Sequence, residues 1–142
     1  NSGRLAPTYL LYTMGTAPQA FFARTLFTYS HDRSVEAVTH HLVDGAAVDS
    51  LVYNGLCASY PEIKERTRVL WRSPPYAMSP FVVPPQLPIS LKRQLRKVLL
   101  AMDKEAEGQA LLTQLQIDRF VLIPDSAYDS IRAMEKQLSP QP

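Results

Sequence analysis

The chain has 142 residues, a formal charge of +2 and a single cysteine. That length suits one modest domain with a core of its own. The near-neutral charge, with Lys and Arg scattered rather than striped, gives no footprint for nucleic acid, no apolar run reaches the length of a membrane span, and Cys57 alone excludes an internal disulfide.

Asn1-Ser2-Gly3 leads straight into a helical pattern, with Leu5, Tyr9, Leu10 and Tyr12 at the apolar positions. Ser2 is the expected N-cap of a helix over Gly3–Met14, with Pro7 near its first turn and Gly15 ending it. A helix this early, with no strand and no initiator Met before it, is odd in an α/β chain and suggests a start inside a larger fold. Pro18–Phe22 reads as a turn or short helical piece. Thr25–Tyr29, rich in β-branched and aromatic residues, predicts a strand. Ser30 then stands where an N-cap belongs, and Val35, Val38 and Leu42 predict a helix over Asp32–Val43 that Gly45 closes. Ala46–Val48 predicts a short buried strand. Asp49 and Ser50 sit at its carboxyl end, ahead of a helix over Leu51–Ser59 that Pro61 stops. Glu62–Arg68 is charged and solvated, and Arg68–Arg72 predicts a third strand.

Ser73–Pro88 reads as extended throughout, because residues before proline avoid the helical region. Within it, Phe81–Val83 is a possible edge strand. Ser90 is the expected cap of an amphipathic helix whose Leu91, Leu95, Val98, Leu99 and Met102 form one stripe, opposite Lys92, Arg93, Arg96 and Lys97. Asp103 opens a shorter helix with Leu111, Leu112 and Leu115 facing inward. Phe120–Ile123 is a brief apolar run, Asp125 or Ser126 caps a last helix through Leu138, and the tail Ser139–Pro142 frays.

A β-α-β-α order within residues 25–59 predicts an α/β fold, a short parallel or mixed sheet flanked by helices, followed by C-terminal helices. Residues 1–72 would form the ligand-binding lobe, 73–89 a hinge or crossing segment, and 90–142 a helical part. In such sheets ligands lie outside the carboxyl ends of the strands. Ser30, His31, Asp32, Asp49 and Ser50 fall on that rim, at helix N-termini whose free N–H groups and dipole favour a small anion.

Catalysis has no foothold in these residues. Ser30-His31-Asp32 has the letters of a triad, but neighbours on a helix diverge by about 100° and cannot line up by hydrogen bonds. His40 and His41 diverge in the same way, and beyond Asp44 nothing completes a metal set. Asp49 either caps the next helix or accepts a ligand's proton. Cys57 reads as a packed small side chain, and Tyr9, Tyr12 and Trp71 as core. There is no P-loop, dinucleotide fingerprint or nucleophile elbow. No enzyme activity, catalytic residue, metal or cofactor is expected.

Four stretches carry a resemblance, Asn1–Pro7, Tyr29–Ser34, Val43–Ser50 and Leu70–Pro75, and Glu107–Leu112 and Asp125–Arg132 fit the same pattern. Together they are similar to the substrate-binding proteins of phosphonate, phosphite and phosphate ABC transporters, over essentially the whole chain. The resemblance implies a lobe of the two-lobed periplasmic binding protein fold, type II, with the first half of the family's polypeptide missing. It implies that Ser2 and Gly3 belong to a helix N-terminus holding phosphoryl oxygens, and that His31 hydrogen-bonds the same group. Asn1 replaces a hydroxyl residue common in the family. Leu51 and Ser79 stand where aminophosphonate binders carry carboxylates, so phosphate, phosphite or a small alkylphosphonate fits better than an amine-bearing ligand. The expected ligand-binding set is Ser2, Gly3, Ser30, His31, Asp32, Asp49 and Ser50. The expected partners are a small oxyanion and a transporter permease, or a fused signalling domain if the module is a sensor, with no nucleic acid. The expected location is periplasmic or extracytoplasmic, free or membrane-anchored. A fragment that no longer binds is the remaining alternative. The stripe over residues 91–102, lacking its usual cover, would associate with a second copy.

Overall fold

Helices form where the apolar residues recur at helical spacing, and mostly near where the pattern puts them. The computed structural model describes residues 2–139. Among them are α1 (Leu5–Thr13), α2 (Pro18–Phe21), α3 (His31–Thr39), α4 (Ser50–Ser59), α5 (Pro61–Arg66), α6 (Ile89–Ala101), α7 (Ala106–Gln114) and α8 (Asp129–Leu138), with 3-10 turns at Met102–Lys104 and Asp125–Tyr128. Ser30 caps α3 and Asp49 caps α4, each accepting a backbone N–H from the first turn. Pro61 ends α4 by opening α5, where its missing N–H costs nothing.

Three helices stop in one way. After α1, α3 and α7 the chain enters the left-handed region at Gly15 (φ 75°), His41 (φ 56°) and Gln116 (φ 56°). The following N–H reaches back to the third carbonyl from the helix end: Thr16 to Leu11, Leu42 to Ala37, and Ile117 to Leu112, at 3.0, 2.8 and 3.1 Å. These are Schellman motifs, and only one uses the glycine that the motif favours. Hence α3 ends at Thr39 rather than Val43, Gly45 has no part in ending it, and Leu42 is exposed.

The expected α/β fold is overturned. Among the described residues there is no strand and no sheet, and no backbone hydrogen bond joins Thr25–Tyr29, Ala46–Val48, Arg68–Arg72, Phe81–Val83 or Phe120–Ile123 to one another. Side-chain preference favours extended backbone, but a strand exists only beside another strand about 4.8 Å away. These stretches also bury no common face that would fix a register: Leu70 is 75% and Val82 81% exposed. Phe81 and Phe120 meet edge-on at 5.2 Å through their rings alone.

Two compact units make up the chain. One runs to Tyr76 and takes in the residues from Tyr128 onward. In it α1 packs on α8, with Ala6, Leu11 and Met134 buried. Also in this unit, α3 packs on α4 and α5, with Val35 and Thr39 buried and the Thr39 hydroxyl donating to the Val35 carbonyl at 2.9 Å. The Tyr53 hydroxyl meets Thr67 Oγ1 at 2.9 Å, and Thr67 donates to the Ile63 carbonyl, tying α4 to the end of α5.

The other unit is Ala77–Ala127. There α7 lies so close to the 3-10 turn that a Cβ on Gly108 would fall on the Met102 carbonyl and 2.8 Å from Met102 Cα. Leu112 is buried beside it, whereas Leu111 and Leu115 are exposed, against the expectation that all three face inward. The stripe on α6 is open at Leu91, Leu95 and Val98.

Further expectations give way locally. Ser2 does not cap α1, which starts after Arg4 with no side-chain cap. Ser90 does not cap α6, which begins at Ile89 after Pro88. The last helix starts at Asp129, after a 3-10 turn rather than directly from a capping Asp125 or Ser126. Tyr12 and Trp71 are exposed rather than core. The expectations for Asn1 and for the tail beyond Ser139 lie outside the described residues.

Candidate functional site

The turn entering α3 is held by its own side chains. The hydroxyls of Thr28 and Ser34 lie 2.7 Å apart, and both reach the Ser30 carbonyl, at 2.8 and 3.0 Å. Ser30 Oγ accepts the Arg33 N–H at 3.5 Å, so its side chain serves mainly as the helix cap. Tyr29, just before it, has a left-handed backbone (φ 59°). His31 is the first residue of α3, half-buried. The N–H groups of a first helical turn have no intrahelical acceptor, and here Ser30 Oγ takes that of Arg33.

Freed from capping, the Ser2 hydroxyl lies 3.3 Å from His31 Nε2. A Cβ built on Gly3 would sit 3.5 Å from His31 Cε1 and 3.7 Å from the Ala47 carbonyl oxygen. Three separate segments therefore converge: the N-terminal turn, the start of α3, and the loop before α4. Ser2, Gly3 and His31 stand together. Asp49 caps α4, with Oδ1 accepting the Leu51 N–H at 2.9 Å. Ser50 and Asp32 are exposed in the first turns of α4 and α3. Among the described residues no hydrogen bond joins Asp32, Asp49 or Ser50 to the Ser2–His31 pair.

The cluster offers a hydroxyl, an imidazole and backbone N–H donors to an acceptor-rich anion. Its Ser2–His31 pair brings a hydroxyl within reach of an imidazole, but among the described residues no third side chain hydrogen-bonds the ring to orient it. Among the described residues no three His, Cys, Asp or Glu side chains gather as a metal site. Likewise no helix of the described residues is long and apolar enough to cross a membrane. An open hollow of about 560 Å³ lies in the other unit, beside Asp103, Gln109, Thr113 and Asp118. Gln109 and Thr113 there already donate to the carbonyls of Asp103 and Gln109.

Residue-by-residue reading of the sequence missed Thr28, Ser34 and the Ala47 carbonyl. Thr28 and Ser34 flank the cap at positions −2 and +4, a hydroxyl pattern that is legible once the cap is known. The Ala47 carbonyl carries no side-chain signal at all.

No curated protein matches the chain. Residues 1–128 match the family model described as ABC transporter, phosphonate, periplasmic substrate-binding protein.

Proposed function

Because the chain belongs to the periplasmic substrate-binding proteins of phosphonate ABC transporters, we propose that the cluster around Ser2 and His31 is where it binds a small phosphorus oxyanion. Such proteins bind solute for an ABC transporter, work outside the cytoplasm, and meet a small ligand and a permease. The observation that carries the placement is the convergence of Ser2 Oγ on His31 Nε2 at 3.3 Å with Gly3 against the Ala47 carbonyl. Ser2 and His31 donate to the anion, and Gly3 allows its backbone to come close. Asp32 and Ser50 contribute their backbone N–H groups at two helix starts, the first of which Ser30 caps while its own N–H donates to Thr28 Oγ1. Asp49 has one oxygen committed to capping, and its other oxygen accepts from a protonated ligand oxygen.

The ligand is a phosphonate, phosphite or phosphate without an amine, since Leu51 at the start of α4 stands where amine-binding relatives carry a carboxylate. The protein performs no chemistry of its own on it. The binding part is drawn at residues 1–72, with 73–89 a crossing segment and 90–142 a helical part whose open stripe at 91–102 serves self-association. A lipid or peptide anchor would leave this site unchanged.

Calorimetry and thermal shift with phosphite, phosphate, methylphosphonate and sulfate test the reading. Saturable stabilisation by a phosphorus oxyanion, beyond that by sulfate, is the expected result. Equal, unsaturable responses to all four would remove it.

A further inference from the structure

The unit Ala77–Ala127 separates its charges along the chain. From Ala77 to Met102 it carries the cations Lys92, Arg93, Arg96 and Lys97 and no carboxylate. From Asp103 to Asp118 it carries Asp103, Glu105, Glu107 and Asp118 against Lys104 alone. Among the described residues none of these side chains enters an ion pair. Of the cations on α6 only Lys92 is occupied, donating to the Pro85 carbonyl at 2.7 Å. Each half also leaves apolar residues open. On α6, Leu91, Leu95 and Val98 are exposed and no helix packs along them, since α6 meets its unit at the 3-10 turn. On α7, Gly108 and Leu112 take the face toward that turn. Glu107, Leu111 and Leu115 follow one another at i+4 along a different side, all exposed.

From that charge complementarity we infer that two copies of this chain pair two-fold, the α6 stripe of one lying on the Glu107–Leu111–Leu115 ridge of its partner's α7. The inference rests on the self-association proposed above and names the surface that the stripe meets. A two-fold axis makes the contact occur twice, because what α6 gives to the partner it receives at its own α7. The i+4 rows of two helices interdigitate and bury apolar surface on both. Arg93, Arg96 and Lys97 are long enough to reach past the stripe toward the partner's Glu105 and Glu107. Pairing α6 with α6 would instead bring like charges together. A lipid surface would answer the cations of α6 and leave the acidic ridge of α7 unanswered, whereas a second copy answers both.

Sedimentation equilibrium of the full chain at about 50 and about 500 mM salt tests this. The parent should dimerise, and more weakly at the higher salt. Arg93→Glu with Arg96→Glu makes α6 repel α7, and Glu105→Lys with Glu107→Lys does the same from the other side. Each double variant should weaken the dimer about tenfold or more, since every exposed pair changes twice per dimer. Mixed in equal amounts, the two variants should restore a dimer, because each then meets the opposite charge. All four positions are exposed, so both variants keep the parent's fold, which circular dichroism verifies. Dimers that survive either reversal, or a mixture that stays monomeric, overturn the α6–α7 pairing and leave self-association to another surface. A monomeric parent removes self-association itself, and a monomer that floats with anionic phospholipid vesicles gives the stripe to a lipid surface instead.

Discussion

Replacing His31 with alanine separates a ligand contact from a fold contact, because the structure gives the imidazole little to do in the fold. It is half-buried, and its one hydrogen bond to a described residue is the 3.3 Å contact with Ser2 Oγ. A neutral bond of that length contributes at most about 1 kcal/mol to stability. Alanine also suits the first turn of α3, which Ser30 continues to cap. A hydrogen bond to a charged oxyanion is worth more, about 1.5–3 kcal/mol, so affinity should fall about ten- to hundredfold. Titration calorimetry with phosphite and methylphosphonate measures that loss, and urea denaturation of the same preparation measures the stability change. His31→Gln keeps a side-chain N–H donor and should recover part of the affinity. In a double-mutant cycle with Ser2→Ala, two groups gripping one anion give a combined loss that departs from the sum of the single losses. Affinity within twofold of the parent in a folded His31→Ala protein would refute the assignment.

The other predictions concern the frame. His41→Gly and Gln116→Gly relieve left-handed residues at the ends of α3 and α7. Relief of about 1–2 kcal/mol, less about 0.4–1 kcal/mol for the greater freedom of glycine in the unfolded chain, leaves a gain of about 0.5–1 kcal/mol each. A Tm rise of about 2–4 °C by calorimetry checks it, and a fall would refute it. Gly108→Ala drives a methyl group into the Met102 backbone, so the unit Ala77–Ala127 should lose about 1–3 kcal/mol. Faster amide exchange along α7 reports that loss, and unchanged protection would contradict it. Leu95→Gln interrupts the open stripe of α6 and should shift the protein from associated to monomeric by light scattering. A parent protein that is already a monodisperse monomer would remove self-association.

What could be read from the sequence is whatever a residue does to its own neighbours. Ser30, Asp49 and Pro61 act within three residues of themselves, and each begins or separates a helix where its chemistry requires. Helix ends were harder, because His41 and Gln116 adopt a conformation that glycine signals and they do not. The strands were not legible. Thr25–Tyr29 and Arg68–Arg72 have the right side chains, but pairing depends on what lies alongside, and a single stretch carries no information about its neighbour. The same limit applies to the site. The helix starts at Ser30 and Asp49 could be placed, whereas the approach of Gly3 to Ala47 is a backbone contact between distant segments.

Losing the sheet changes why the site exists. On a sheet edge, Ser30 and Asp49 would meet because neighbouring strands end side by side, and the anion would lie between two helix starts. Without strands that alignment has no cause, and convergence has to come from direct contacts. Those contacts involve Ser2, which was assigned to capping α1. Since α1 begins without a side-chain cap, the Ser2 hydroxyl is left for His31, and Gly3 brings the chain against both His31 and Ala47. A capping serine has its side chain turned to the helix N–H groups, whereas the uncapped Ser2 side chain is turned to His31. The uncapped start of α1 is thus the local cost at which the cluster gains a donor. Capping α1 by Arg4→Ser should stabilise the helix by about 0.5–1 kcal/mol and leave affinity unchanged, because Ser2 and not residue 4 faces the imidazole.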